Sequence, residues 1–487
     1  MSGGEPLYLV IDQGGHASRA HVFDASGREH AAATETIATE RTGRDRVEHD
    51  ADELLGSVRR AIAAAVSALG PARRRVRAAG LATQRSSLVC WDRRTGRALS
   101  RVISWQDRRA ATWLAQFEPQ HGRVHELTGL VLSPHYGASK LRWCLDHLEP
   151  VQRAGDAGRL VCGPLASFLL FRLASGQPLH ADPCNASRTL LWGLAERDWC
   201  DELLGLFGIA RDLLPRCGPN SGEFGALDAD GMRVPITVCT GDQPAALFAF
   251  GVPDERVASI NAGTGAFIQC VTGARPIRSP GLLTSLAWVD ASRERYVLEG
   301  SVNGAGSALA WAADELGLNP DAAPARLDEW SGSQPNPPLF LNGVSGLGAP
   351  YWVSDFPSDF VGDGTPEAKM VAVLESIAFL LRRNLDAMSE RGLAPATLRL
   401  TGGLAASEHF SRTLADLCAL PLERPLAIEA TARGLAYLVA GEPERWTVAA
   451  TESRRLLPRD DPAIRERYAR WLEAMHAALE RRARKRV

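Results

Sequence analysis

Apolar runs that end at turns of small residues shape the start of this chain. The run Leu7–Ile11 predicts a buried strand, and it stops at the polar, glycine-rich segment Asp12–Gly15. A second run, Ala20–Phe23, predicts the strand that leads back, and Asp24–Gly27 turns the chain again. The pattern predicts a β-hairpin near the N-terminus, and on its own it is more typical of a plain hairpin turn than of a phosphate-binding one.

A second copy of this pattern lies far downstream. The strand-like segment Arg256–Asn261 meets the turn Ala262–Gly265, and the apolar segment Ala266–Val271 follows. Such a turn offers backbone N–H groups at the mouth of a sheet, where phosphates can be held, and the carboxylate of the first copy suits a magnesium ion. Two phosphate-type hairpins indicate an internal duplication. A duplicated α/β chain of this kind resembles the actin-like ATPase fold, in which two ribonuclease H-like domains close over a nucleotide and leave an active-site cleft between them.

The remaining pattern alternates strands and helices. The first half predicts a β-β-β-α-β order, which is that of a ribonuclease H-like unit, with the later elements at Glu29–Ile37, Asp52–Leu69, Val76–Thr83 and Ser87–Asp92. Further helices or apolar runs are predicted at Lys140–His147, Leu165–Leu173, from Gly304–Ser307 onwards, and at Pro366–Met388, Ser407–Leu417, Thr431–Val439 and Pro462–Arg484. A Gly–Pro break at Gly251–Pro253 predicts the boundary between an N-terminal domain, residues 1–250, and a C-terminal domain, residues 251–487.

Composition narrows the class of protein. The chain has 487 residues and 45% hydrophobic content, enough for two cores. Its 55 Lys and Arg nearly balance 57 Asp and Glu, so we expect no nucleic-acid or membrane partner. Nine cysteines without CxxC pairs predict buried, reduced thiols. The sequence contains no span-length apolar run and no signal-peptide pattern, and we therefore expect a cytoplasmic protein.

Several short motifs, spread over almost the whole length, carry a resemblance to a known family. They are Asp12–Gly14 with Ser18–Arg19, Val47–Asp50, Gln84–Arg85, Trp105–Arg109, Thr128–Leu130, Asn185–Thr189, Gly241–Gln243, Gly263–Gly265, Gly346–Trp352 and Gly402–Gly403. The chain resembles the FGGY carbohydrate kinases, and among them the glycerol kinases most. The resemblance implies ATP and Mg²⁺ as cofactors, a small polyol or sugar as substrate, and a possible homo-oligomer, either a dimer or a tetramer.

The resemblance also assigns the chemistry. It implies that Asp242 is the catalytic base that accepts the proton of the attacking hydroxyl, and that Asp12 and Asp242 hold the metal. These residue types suit the assignment, because phosphoryl transfer needs positioned reactants, a magnesium ion and one carboxylate close to the nucleophile. Asp242 follows the apolar run Val238–Thr240, so we expect its side chain at a strand end in the cleft. A simple turn aspartate is the alternative for an isolated Gly-Asp-Gln.

Two further sets of residues follow from the resemblance. For the nucleotide it implies Gly15, His16, Ala17, Arg19, Gly263, Thr264 and Gly265 at the phosphates, with Gly306, Gly403 and Ser407 near the adenosine. For the substrate it implies Arg85, Ser86, Trp105, His135, Asp242, Gln243 and Phe267. A guanidinium and an amide bind vicinal hydroxyls, while aromatic rings cover the carbon face. Arg19 could instead be a surface charge, and Trp105 could be core.

The chain departs from the glycerol kinases at sensitive positions. Ser86 stands where they usually have Glu, so a hydroxyl acceptor is lost and space is gained. His135 stands where a tyrosine is typical, and it either binds a larger substrate or is a half-buried cleft residue. The turn Gly15–Ala17 replaces a hydroxyl-rich Thr-Thr-Ser, which should weaken ATP binding without abolishing it. The segment Leu227–Arg233 is shorter than the loop through which some bacterial glycerol kinases bind fructose bisphosphate, so we expect no such regulation.

Three functions remain open from the sequence. The leading hypothesis is an ATP-dependent kinase that acts on a hydroxyl of a polyol or sugar, and a pentulose or a tetritol is a possible substrate. A true glycerol kinase with a rearranged pocket is the nearest alternative. The third is a non-catalytic, nucleotide-responsive sugar-binding protein on the same fold. Asp12, Asp242 and Arg85 occur together, which favours an enzyme, because a sensor needs no catalytic base.

Overall fold

A six-stranded sheet forms the core of the first lobe in the computed structural model, which describes residues 4–320, 322–334, 336–425, 429–446 and 453–486. In sheet order its strands are Ala226–Ala229, Met232–Gly241, Val76–Thr83, Leu7–Gln13, Ala17–Asp24 and Glu29–Thr36. The three strands that precede the predicted site, Met232–Gly241, Val76–Thr83 and Leu7–Gln13, run parallel to one another. Their apolar side chains are buried because helices cover both faces, as is usual for parallel strands.

A seven-stranded sheet forms the core of the second lobe. Its strands, in order, are Leu283–Val289, Glu294–Val302, Ala266–Gly273, Val257–Ala262, Thr397–Thr401, Leu422–Pro425 and Ser453–Leu456. The hairpin of Val257–Ala262 with Ala266–Gly273 repeats the hairpin of Leu7–Gln13 with Ala17–Asp24, and in each lobe the first hairpin strand also has a parallel neighbour. The duplication predicted from the two turns is therefore present in the structure.

Smaller sheets and the helices complete the two lobes. A five-stranded sheet contains Glu40–Thr42, Arg46–His49, Val102–Ile103, Leu88–Asp92 and Leu160–Pro164. Three strand pairs join His180–Ala181 to Arg216–Cys217, Trp192–Gly193 to Asp198–Trp199, and Leu339–Leu341 to Asp359–Val361. The helices are Ala51–Ala68, Ala111–Leu114, His121–Thr128, Gly137–His147, Glu149–Asp156, Leu165–Leu173, Pro183–Ala186, Asp201–Phe207, Asp242–Leu247, Gly306–Glu315, Ala323–Ser333, Pro366–Ser389, Glu408–Cys418, Ala430–Val439 and Pro462–Arg486.

One helix of the second half crosses to the first lobe. Ala430–Val439 packs against the helix Asp242–Leu247 and against the strands Leu7–Gln13 and Val76–Thr83. Gly434 permits this contact, because a Cβ there would lie 1.8 Å from the carbonyl oxygen of Ala245. The helix thereby closes an apolar cluster that joins the two halves of the chain. The boundary between residues 250 and 251 stays a prediction.

The helices of the described residues include none with the length and apolar character needed to cross a membrane. All nine cysteines are free, and eight of them are buried.

Candidate active site

The three parallel strands of the first lobe end side by side and deliver the predicted polar residues to one edge of the sheet. Gln13, Thr83 and Gly241 stand in register at the ends of these strands. The pairs Asp12–Gln13, Gln84–Arg85 and Asp242–Gln243 therefore come together, since carboxyl ends of parallel strands meet at the same edge. Asp242 begins the helix Asp242–Leu247 and lies at a strand end, as the sequence predicts.

A cavity of about 440 Å³ lies at this edge, between the two lobes. The first lobe contributes Asp12, Gly14, Arg19, Asp242 and Gln243 to its wall. The second lobe contributes residues of its own sheet edge, namely Asn261, Phe267, Gln269, Arg399, Thr401 and Gly402. Five predicted site residues, Asp12, Arg19, Asp242, Gln243 and Phe267, thus line one cavity.

The carboxylate of Asp12 is held in an unfavourable environment. Burial raises the pKa of Asp12 to about 7, and the charge of Asp242 acts in the same direction. Arg19 is the cross-strand neighbour of Asp12, and the Arg19 guanidinium lies 3.5 Å from the Asp12 carboxylate. This contact offsets only part of the cost of burying the negative charge. A buried carboxylate that faces another carboxylate fits a divalent cation, and Mg²⁺ in kinases takes one or two carboxylates and fills its remaining positions with water and phosphate. The described residues contain no preformed group of three His, Cys, Asp or Glu that could hold a metal.

Asp242 is surrounded by partners that fix its position. The backbone N–H of Gln243 donates to its carboxylate at 2.7 Å, and Arg85 Nε lies 4.0 Å from it. Burial raises the pKa of Asp242, and the charge of Arg85 opposes this shift. Arg85 itself is buried and donates to the side-chain oxygen of Gln243.

Arg85 and the other predicted substrate residues, Ser86, Trp105 and His135, are not part of the lining of this cavity. The rings of Trp105 and His135 meet edge to face with centroids 5.3 Å apart. Burial lowers the pKa of His135 well below its usual range, and the charge of Lys140 acts in the same direction, so the ring is neutral at pH 7. Ser86 is buried and adopts a left-handed backbone conformation, with φ of +62°.

Lys140, which the sequence analysis did not select, fixes two of these residues. Its ammonium group donates to the carbonyl oxygens of Ser86 at 2.9 Å and His135 at 2.6 Å. Burial lowers the pKa of Lys140 to about 7. The side chain lies on the helix Gly137–His147, which the sequence predicts to begin at this residue, so its direction could not be inferred.

Glu299 is a second residue that the sequence analysis missed. Both of its carboxylate oxygens accept from Arg188 Nη2, at 2.6 and 2.7 Å, and one of them accepts from Gln269 at 2.8 Å. Burial would raise the pKa of Glu299, but the charges of Arg188 and Arg85 prevail and hold it at about 2. The available signal was a single acid within the otherwise uncharged segment 296–302 of the strand Glu294–Val302.

The predicted nucleotide residues fall into two groups. In the first lobe Gly15 lies near Trp105 and Ala17 is buried, while His16 is exposed at the turn. In the second lobe the turn Gly263–Gly265 contacts the start of the helix Gly306–Glu315, where Gly306 N donates to Gly263 O at 2.8 Å. Gly402, rather than Gly403, lines the cavity, and its φ of +90° beside Ala262 requires a glycine.

Ser407 already has partners within the protein. Its hydroxyl donates to Asp328 at 2.6 Å and accepts from Phe410 N at 3.1 Å, so it caps the helix Glu408–Cys418. A role of Ser407 toward adenosine stays a prediction.

Two family models match the chain. The model of the N-terminal domain of the FGGY family of carbohydrate kinases matches residues 7–249, and that of the C-terminal domain matches residues 258–441. The chain belongs to the FGGY family of carbohydrate kinases. It is accordingly an ATP-dependent phosphotransferase with an alcohol group as acceptor, which confirms the leading hypothesis from the sequence.

Relatives of this FGGY kinase cover nearly its whole length. A glycerol kinase of Methylobacterium nodulans is 37% identical over 98% of this chain and 98% of its own, and one of Geobacter sp. is 35% identical over 97% and 98%. Among solved structures, Plasmodium falciparum glycerol kinase with ADP superposes with a TM-score of 0.86 at 24% identity, covering 98% of this chain and 99% of its own. Xylulose kinase from Rhodospirillum rubrum superposes with a TM-score of 0.84 at 21% identity, covering 97% of this chain and 98% of its own. These similarities support the two-domain α/β fold.

Proposed function

We propose that this FGGY kinase transfers the terminal phosphate of ATP to a hydroxyl of a small polyol, with glycerol-sized compounds as the first candidates. The observation that carries the proposal is that Asp242 and Asp12 share one interlobe cavity, with Arg85 beside Asp242. The full-length similarity to proteins named glycerol kinase supports the size of the substrate.

In this proposal Asp242 accepts the proton of the attacking hydroxyl. Its raised pKa makes the carboxylate a better proton acceptor than a free aspartate, and the charge of Arg85 opposes the rise. Asp12, together with Asp242, would hold Mg²⁺, which neutralises charge on the phosphates. Arg19 lies beside Asp12 in the lining of the same cavity, and in this proposal it would contact the phosphate chain.

Substrate recognition would depend on Arg85, Gln243 and two aromatic side chains. Arg85 and Gln243 are joined by a hydrogen bond, so they present donors and an acceptor at fixed spacing to neighbouring hydroxyls. Phe267 and Trp105 offer apolar faces for the carbon chain. Ser86 leaves more room than the glutamate of the glycerol kinases, so four- and five-carbon polyols and ketoses belong in the test.

The test is an ADP-release assay against glycerol, tetritols, pentitols and pentuloses, with wild type and Asp242→Asn. We expect turnover with at least one compound, and a decrease in kcat of about 100- to 10,000-fold in the variant, because a general base contributes that much. Asp201→Asn is the matched control, since Asp201 also begins a short helix but is exposed and paired with Arg211. ATP bound without turnover of any compound, or full activity of Asp242→Asn, would overturn the proposal.

A further inference from the structure

A buried ion cluster joins the two lobes directly behind the candidate substrate site. Glu299 of the second lobe lies between Arg188 and Arg85 of the first, with its oxygens 2.6 Å from Arg188 Nη2 and 3.6 Å from Arg85 Nη2. The side chains of Glu299, Arg188 and Arg85 are only 2%, 5% and 7% exposed. The cluster is therefore shielded from solvent and sensitive to the loss of any one charge.

The sheet register explains why Glu299 reaches across. Glu299 pairs directly with Gln269 on the neighbouring strand, and Phe267 pairs with Ser301. Phe267 and Gln269 both line the cavity, so Glu299 lies on the sheet face that is turned toward the first lobe. Gln269 also donates to Glu299 at 2.8 Å, which fixes the direction of the carboxylate.

Arg85 is placed between two acidic partners. On one side Asp242 lies 4.0 Å from Arg85 Nε, and on the other Glu299 lies 3.6 Å from Arg85 Nη2. The charge of Arg188 repels Arg85, and Glu299 is the group that separates the two guanidinium groups. Without the charge of Glu299, Arg85 would lose one anchor, be repelled by Arg188 and shift toward Asp242.

We propose that Glu299 is a positioning residue, supplied by the second lobe, that holds Arg85 in place for the substrate. This inference rests on the proposed function, in which Arg85 binds the substrate hydroxyls. The substrate site of the first lobe is then complete only when the second lobe is docked against it. Closure of the lobes would assemble the acceptor site at the same time as it excludes water.

The experiment compares Glu299→Gln, Glu299→Asp and Glu375→Gln with wild type. The Gln variant keeps the shape and removes the charge, and the Asp variant keeps the charge on a shorter side chain. Glu375→Gln is the matched control, because Glu375 is likewise buried and paired with an arginine, but that arginine, Arg467, lies on the helix Pro462–Arg486 and is not a predicted substrate residue. The readouts are kcat and KM for the acceptor, the affinity for ATP, and hydrogen exchange of residues 84–87 without substrate.

We expect Glu299→Gln to raise the acceptor KM on the order of 100-fold, because a displacement of about 1 Å in a positioning group can cost that much. The affinity for ATP should change less than about threefold, the Asp variant should recover part of the loss, and residues 84–87 should exchange faster. Glu375→Gln should change only the melting temperature. Unchanged exchange at 84–87 in Glu299→Gln, or an acceptor KM within about twofold of wild type, would overturn the inference. If wild type phosphorylates no acceptor, the proposed function fails, and the exchange measurement still decides whether Glu299 holds Arg85.

Discussion

Replacement of Asp12 by asparagine should stabilise the metal-free protein while it impairs catalysis. Asp12 is 5% exposed, the negative charges of Asp242 and Glu429 act on its carboxylate, and Arg19 provides a counter-charge at 3.5 Å. Asparagine has the same shape and no charge, so it removes the electrostatic penalty without leaving a cavity. A residue placed for metal binding is expected to cost stability when the metal is absent.

The size and the pH dependence of the effect follow from the pKa. A carboxyl whose pKa rises from 3.8 to about 7 on folding destabilises the folded state by up to about 4 kcal/mol above pH 7, at about 1.4 kcal/mol per pKa unit. Because the folded-state pKa is the higher one, this penalty is absent below pH 3.8, grows as the pH rises, and is complete above pH 7. Relaxation around the charge reduces it, and we expect Asp12→Asn to gain about 2 to 4 kcal/mol at pH 8.

The assay is urea unfolding of wild type and Asp12→Asn in the presence of a chelator, at pH 5 and pH 8. The gain should be larger at pH 8 than at pH 5, by on the order of 2 kcal/mol. Asp24→Asn is the matched control: Asp24 is also buried at the same hairpin, but its hydrogen bonds with Ser26 and His30 outweigh burial and lower its pKa, so this variant should lose stability. An Asp12→Asn protein that is less stable than wild type at pH 8, or a gain that is independent of pH, would refute the reasoning.

Two further predictions concern the pocket and the interlobe helix. Ser86→Glu should raise the ratio of kcat/KM for glycerol over larger acceptors about tenfold or more, since it restores a hydroxyl acceptor and fills space; unchanged selectivity would mean that this account of the pocket is wrong. Gly434→Ala should lower the free energy of unfolding by about 1 to 3 kcal/mol and reduce kcat, because its Cβ would push against Ala245 and shift the helix that begins at Asp242. Gly332→Ala, in a helix with open space around it, should be neutral or stabilising in the same unfolding assay, and equal effects of the two variants would contradict the packing argument.

The local pattern predicted the elements that hold the site because each has a strong signal of its own. The strand Val76–Thr83 was predicted with its observed bounds, and the first hairpin was predicted from apolar runs on either side of a glycine turn. The helix Pro366–Ser389 differs from its prediction by one residue, since a proline in the first turn marks its start. The position of Asp242 followed from the strand that precedes it.

The parts that the sequence did not reveal depend on contacts between distant segments. Glu299 and Arg188 are 111 positions apart in the sequence, and the local sequence around either residue does not indicate that they form an ion pair. The sequence pattern predicts the helix Ala430–Val439 approximately. Its packing on the sheet of the first lobe depends on the close contact between Gly434 and Ala245, which the hydrophobic periodicity of the helix does not indicate. Ser407 was assigned to the nucleotide by resemblance alone, whereas its bond to Asp328 requires the fold.

A crystal structure with a non-hydrolysable ATP analogue, Mg²⁺ and the acceptor from the assay tests the central claim most directly. The account predicts the triphosphate between the two hairpins and an Asp242 carboxylate oxygen about 2.6 to 3.2 Å from the hydroxyl that faces the terminal phosphate. An Asp242 side chain directed away from that hydroxyl, or a nucleotide bound outside the interlobe cavity, would contradict it.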